Sequence, residues 1–241
     1  MTSAAWIKDV PVAHRGYHDM NKTVWENTLS AFSRAIDAGF AIECDLQLAS
    51  DSVPVVFHDH TLERLCGIAG DVRERTSGEL GMLTVGGTAD RIPTLKQMLK
   101  HVAGRVPLVI EVKGRKNEDD GFAEAVLEVL EGYEGEVALM SFDLHILKDL
   151  KAAGCPYPLG LTAEGTTPED FFKHDEAMHL GLDFISYQYA HLPNSFITAQ
   201  RQAGIPVITW TVRDENARAH TYSHADQMTF EGFDPRETAA P

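Results

Sequence analysis

The stretch Ala41-Ile42-Glu43-Cys44-Asp45-Leu46-Gln47-Leu48-Ala49-Ser50-Asp51-Ser52-Val53-Pro54-Val55-Val56-Phe57-His58-Asp59-His60 decides how the rest of the chain is counted. It holds two β-rich runs, residues 41–46 and 54–58, joined by only about six residues around Asp51-Ser52, whereas a parallel crossover needs about a dozen or more. The two runs must therefore pair as an antiparallel hairpin. Its return arm is expected to rise above the remaining sheet and to bring His58 back to it.

Outward from the hairpin, further β-rich runs lie at residues 10–14, 108–112, 137–141, 159–161, 184–187, 206–211 and 228–230. Helical patterns begin near Glu26, Thr94, Gly121, Asp143, Pro168, Asn194 and Asp214. Thr94, Asp143, Asn194 and Asp214 read as N-caps, and Gly39, Gly104, Gly154, Gly181 and Gly204 as helix stops. Such alternation predicts a parallel sheet with crossover helices. Nine runs less the return arm leave eight, so the expectation is an α/β fold, a (β/α)8 TIM barrel spanning residues 1–241 as one domain. The hairpin arm is followed by an insertion at about residues 59–92, too long for a mere connection and read as part of the active-site surroundings. No full helix is expected after the last strand, where the chain ends in a loose tail from Arg236.

The formal net charge of −15 makes the surface repel nucleic acid and anionic membrane, so neither is an expected partner. If the substrate is an anion, cations must be concentrated in the site itself. The amino terminus shows no basic segment leading into an apolar one, and no run is long enough to span a bilayer. The three cysteines, Cys44, Cys66 and Cys155, are odd in number and lack metal-type spacing, which makes the cytoplasm the default location. The oligomeric state is open, a homodimer included.

Polar residues at the carboxyl ends of barrel strands face the catalytic mouth. The first run ends in His14-Arg15-Gly16, a proton carrier followed by a planar fork of donors suited to phosphate oxygens, though it equally reads as a surface pair. Glu43 and Asp45, two apart on a strand, share a face, and two carboxylates pointing into a barrel mouth require a cation. The competing reading is a polar outer face. Glu111 and Lys113 interrupt an otherwise apolar run and add a third carboxylate and a point charge. A simple Glu111–Lys113 ion pair is not expected, because residues two apart lie about 7 Å apart along a strand. His58 is the second proton carrier, with Asp59 able to orient it or to cap the next turn. Glu26 reads as a site residue or as a first-turn glutamate favoured by the helix dipole. Trp210 and Phe142 are candidates for the pocket wall or for ordinary packing.

In their order along the chain, H-R-G at 14–16, E-N-T at 26–28, E-x-D at 43–45, H-D at 58–59, E-x-K at 111–113 and W-T-V at 210–212 resemble the glycerophosphodiester phosphodiesterase family, over nearly the whole chain. The resemblance implies metal-dependent hydrolysis of small-molecule glycerophosphodiesters to glycerol 3-phosphate and an alcohol. It assigns one divalent cation, Mg2+ or Ca2+ with Mn2+ as a further option, to Glu43, Asp45 and Glu111. It makes His14 and His58 the acid–base pair and gives the phosphate to Arg15 and Lys113. It places Glu26 at the site and makes the insertion the shaper of the alcohol pocket. One departure stands at the end: a T-D-x-P-like turn in the family is here Thr229-Phe230-Glu231-Gly232-Phe233-Asp234-Pro235. The expectation is that this alters the rim and leaves the core chemistry untouched. The alternatives are a lysophospholipase D-like activity and, in another class, a silent barrel that binds phosphodiesters.

Overall fold

The computed structural model describes residues 4–237. Its strands are β1 (Val12–Ala13), β2 (Ala41–Leu48), β3 (Pro54–Val56), β4 (Leu108–Val112), β5 (Val137–Ser141), β6 (Leu159–Ala163), β7 (Phe184–Gln188), β8 (Val207–Val212) and β9 (Gln227–Phe230). All neighbours around β1-β2-β4-β5-β6-β7-β8-β9 pair in parallel, and β1 pairs with both β2 and β9, which closes the ring. The ring has no free edge. β3 stays outside it, antiparallel to the outer half of β2 with Leu46 opposite Val56 and Leu48 opposite Pro54. The hairpin is thus as the short link requires. β1 is shorter than the expected 10–14, and His14 lies just beyond it, its backbone N–H held by the Phe230 carbonyl at 2.9 Å.

The two faces of the strands follow the period of two. Ile42, Cys44 and Leu46 of β2, with Leu108, Ile110 and Val112 of β4, join the large core beneath the surrounding helices. Their alternates point inward, where Val12, Ala41, Val109, Ala138, Met140, Phe184 and Ile208 fill the barrel. Gly160 is required there, since a Cβ at that position would lie 2.3 Å from the Phe184 ring. A 3-10 segment, Ala4–Lys8, packs Ala4 and Ile7 into the same interior cluster. Sequence reading had given this segment no structure.

The caps at Thr94, Asn194 and Asp214 form as expected, each side chain accepting a backbone N–H of its own helix. Asp143 stands at a cap position but makes no such bond; its Oδ2 accepts the Gly114 N–H at 3.0 Å and ties down the loop after β4. The first helix is Leu29–Ala38, capped by Thr28, so Glu26 precedes the helix and its first-turn reading is overturned. The insertion holds three short helical segments over a small core of its own that includes Leu62, Leu65, Val72, Leu80, Val85 and Ile92. After β9 no helix follows through Glu237, and the rest of the expected tail lies outside the described residues. No helix among the described residues is long and apolar enough to cross a membrane.

Candidate active site

The inward row of β2 places Glu43 and Asp45 side by side, and register sets Glu111 of β4 directly beside Asp45. Ligand oxygens of these three carboxylates lie within 4.8 Å of one another, and all three side chains are buried. Burial, followed by repulsion from Asp45 and Glu111, pushes the Glu43 carboxyl well above its ordinary range. Burial likewise raises Glu111 to about 7, against the pull of Lys113. Asp45 goes the other way: burial opposes its ionisation, yet Lys113, His58, Arg15 and a 2.8 Å bond from Asn27 Nδ2 hold it below the usual range. Buried carboxylates this close are costly unless positive charge stands among them. Three hard oxygen donors of which burial leaves Glu43 short of a counter-charge fit a divalent cation of the Mg2+ or Ca2+ kind.

Two cations flank the cluster. Arg15 has φ 53° and is followed by Gly16 at φ 79°, where a Cβ would meet Ala31 at 2.8 Å and Phe32 at 2.9 Å. This tight turn aims the Arg15 backbone N–H at Glu43 Oε2, at 2.8 Å. The guanidinium bonds Glu26 at 2.6 Å and lies 3.4 Å from Asp45. Lys113 Nζ lies 3.0 Å from Asp45 Oδ1 and also contacts Glu111 directly. The expectation against a Glu111–Lys113 pair was therefore wrong. The strand spacing separates the Cα atoms, but Lys113 sits just past the end of β4 and its flexible stem folds back.

Each histidine is held by a carboxylate. His14 Nδ1 meets Glu231 Oε2 at 2.5 Å, and Arg213 Nε donates to Glu231 Oε1 at 2.7 Å. His58 Nδ1 meets Asp59 Oδ1 at 2.6 Å, and Arg64 donates to Asp59 through Nε at 2.6 Å and Nη2 at 2.7 Å. Of the two readings for Asp59, the structure shows the orienting one. Burial is the main force lowering both imidazoles below their ordinary pKa, against their carboxylate partners. Arg64 also grips Glu26 with two bonds of 2.8 Å, so Glu26 sits between Arg15 and Arg64 rather than in the three-carboxylate cluster.

A cavity of about 200 Å³ brings together His14, Arg15, Glu43, Asp45, His58, Glu111 and Lys113. Phe142, Trp210 and Arg213 line the same space. Phe142 and Trp210 form an edge-to-face pair, 5.4 Å between centroids, and the indole N–H donates to the Ser186 carbonyl at 3.2 Å. Of the sequence candidates, Glu26 and the orienting Asp59 lie outside the cavity lining. Sequence reading missed Glu231, Asn27, Arg64 and Arg213. Glu231 follows the last strand at its carboxyl end, the position where barrel enzymes place catalytic groups, so a signal was present. The departure there reaches the core of the site, contrary to the expectation that it concerns only the rim.

A closed parallel barrel with a carboxylate cluster, flanking cations and two carboxylate-bound histidines at one mouth defines a barrel hydrolase. The chain belongs to the Glycerophosphoryl diester phosphodiesterase family, whose profile matches residues 14–231. It is 29% identical over 220 residues to the glycerophosphodiester phosphodiesterase of Caldanaerobacter subterraneus subsp. tengcongensis, covering 86% of each chain. Against human glycerophosphodiester phosphodiesterase 1 the identity is 24%, covering 88% of this chain and 74% of the relative. Among solved structures, a Thermotoga maritima glycerophosphodiester phosphodiesterase is 28% identical with a TM-score of 0.74, covering 92% of this chain and 94% of that one. An Oleispira antarctica phosphodiesterase, solved with its product sn-glycerol-3-phosphate, shares the fold at a TM-score of 0.84 and 22% identity, covering 95% and 96%.

Proposed function

We propose that this protein hydrolyses glycerophosphodiesters to glycerol 3-phosphate and a free alcohol, with Glu43, Asp45 and Glu111 holding one divalent cation. The observation that carries the reading is the convergence, in one cavity, of that cluster with Arg15, Lys113 and two histidines facing it from different elements. When bound, the cation would supply positive charge for the phosphoryl oxygens and polarise them toward attack. Arg15 and Lys113 add fixed charge at the same place, where the low-dielectric surroundings strengthen it. His14 and His58 are each bonded through Nδ1, which leaves Nε2 to exchange protons. One accepts the proton of the attacking hydroxyl, and the other gives a proton to the departing alkoxide.

Small, polar alcohols are the favoured leaving groups. Most apolar side chains of the insertion pack into its own core, Met82 excepted, and the cavity of about 200 Å³ has no extended apolar lining to hold an acyl tail. A lysolipid-cleaving activity is accordingly the second reading. The silent-barrel reading predicts a missing group, and finding His14, His58, Arg15 and Lys113 together in one cavity supports the catalytic reading over it. We place the protein in the cytoplasm, a reading supported by three unpaired cysteines. The test is a metal-supplemented hydrolysis screen of glycerophosphocholine, glycerophosphoethanolamine, glycerophosphoglycerol and lysophosphatidylcholine, with glycerol 3-phosphate measured for the first three and released choline and lysophosphatidic acid for the last. Release from the first three supports the proposal. No release from any of them, with folded protein and added Mg2+, Ca2+ or Mn2+, overturns it.

A further inference from the structure

His18 lies outside the cavity lining, yet it is almost fully buried, at 4% exposure. A neutral imidazole has one N–H donor and one acceptor nitrogen, and its neighbours decide which is which. The Met20 backbone N–H points at His18 Nδ1 at 3.1 Å. A backbone amide can only donate, so Nδ1 is the acceptor and the ring proton sits on Nε2. That Nε2 finds no close hydrogen-bond partner; it faces Glu231 Oε2 at 3.5 Å. The same oxygen takes the 2.5 Å bond from His14 Nδ1. Glu231 is held ionised although burial opposes it, by its bond with His14, by the nearby His18 and by the Arg213 charge. An ionised carboxylate only accepts, so every nitrogen facing it carries a proton.

A bland reading is that His18 merely fills space beneath the mouth. It does not explain why a buried ring directs its proton at an oxygen already bonded to a catalytic candidate, when an apolar side chain would fill the volume without leaving a weakly satisfied N–H. A metal site built on His14, His18 and Glu231, whose ligand atoms lie within 4.8 Å of one another, fails on the same hydrogen bond. For Nε2 to bind a metal, the proton would have to move to Nδ1, where the Met20 N–H already points.

We propose that His18 is a positioning residue for the reaction: pinned by the Met20 backbone N–H, it presents Nε2–H to Glu231 and so fixes the carboxylate that orients His14. The role rests on the phosphodiesterase reading for its kinetic consequence, but its physical basis is independent of substrate. Glu231 takes a 2.7 Å bond from Arg213, just past the end of β8, on Oε1, and on Oε2 it is faced at 3.5 Å by His18, from the turn after β1, beside its bond with His14. The other charged groups that act on His14 are Arg15 and Asp45, and neither touches Glu231 Oε2.

The experiment compares full-length wild type, His18→Phe, His18→Gln and Glu231→Gln with saturating Mg2+. His18→Phe keeps the volume and removes the donor, while His18→Gln keeps an N–H near the place of Nε2. With glycerophosphocholine, His18→Phe should lower kcat about 10-fold, the scale of one hydrogen bond to a charged group, with KM within about twofold. His18→Gln should restore most of it. In 15N-histidine-labelled protein, the His14 Nδ1 proton should give a far-downfield NMR signal that weakens or shifts in His18→Phe, returns in His18→Gln and vanishes in Glu231→Gln. An unchanged signal in His18→Phe, or equal losses in the Phe and Gln variants, overturns the proposal. The NMR arm needs no turnover, so an inactive wild type would count against the phosphodiesterase reading and leave this test standing.

Discussion

Glu231 Oε2 lies 2.5 Å from His14 Nδ1 although 217 positions separate the two in sequence. The barrel makes them neighbours because β9 closes against β1, with Phe230 paired to Ala13. Each strand ends one step before its functional residue, so closure of the ring and assembly of the pair are one event.

The first prediction follows from that contact. Glu231→Gln keeps the shape but lets the amide present a donor to Nδ1, which favours the wrong ring tautomer. A loss of about 10²–10⁴-fold in kcat is expected, by analogy with other histidine–carboxylate pairs. Metal affinity should change little, since Glu231 is not among Glu43, Asp45 and Glu111. Steady-state kinetics beside metal titration checks this, and a kcat above a tenth of wild type would refute it.

The two histidines should separate by leaving group. His14→Ala and His58→Ala are each expected to lower kcat by about 10²–10⁴-fold. A nitrophenyl ester needs no proton at departure, so it should rescue the variant lacking the acid and leave the other impaired. Equal, leaving-group-independent losses would count against a division of labour.

Metal binding should release protons. Burial first, and then neighbouring carboxylates, raises Glu43, and burial raises Glu111 to about 7, so the metal-free cluster holds protons near neutral pH. A bound cation requires carboxylates, so those protons must leave. Affinity for Mg2+ should therefore rise as pH increases through about 7. Calorimetry in buffers of different ionisation enthalpy measures the release. EDTA should abolish turnover, and Glu43→Gln should weaken binding. Full activity in thoroughly chelated protein would remove the metal from the mechanism.

Replacing the insertion by a short linker should cost turnover as well as alter substrate preference. Arg64 bridges Asp59 and Glu26, and so connects the supports of His58 and Arg15. Arg64→Met alone should lower kcat about 10-fold, the scale of losing hydrogen bonds to charged groups. Unchanged kinetics in that variant would confine the insertion to the pocket wall.

Gly160→Val tests the barrel interior. A Cβ there would stand 2.3 Å from Phe184, and overpacking a filled core costs about 1–3 kcal/mol. Urea unfolding should show the loss, with Phe184→Ala in the same chain recovering part of it. A variant as stable as wild type would mean the interior is looser than the packing implies.

Much of this was legible in the sequence because strand physics is local. The length of the Asp51-Ser52 link alone set β3 outside the ring, and the period of two alone put Glu43 and Asp45 on one face. What escaped depends on side chains that meet across the barrel. Nothing near Glu231 in sequence announces His14, and Asn27 was readable as part of a motif but not as the donor to Asp45. The Glu111–Lys113 contact failed for the opposite reason: a backbone spacing was applied to a side chain long enough to ignore it.

The 3-10 segment Ala4–Lys8, with Ile7 lodged against the interior cluster, packs the barrel interior beneath the site, so among the described residues the candidate cavity lies toward the mouth lined by Phe142 and Trp210. Traffic through a blind vestibule is last in, first out. On the proposed reading, a phosphoryl group held beside Glu43 and Asp45 would be expected to leave after the alcohol that it carried in, past Phe142 and Trp210. A molecule that merely stopped that mouth would then be expected to hold back the product as well as the substrate.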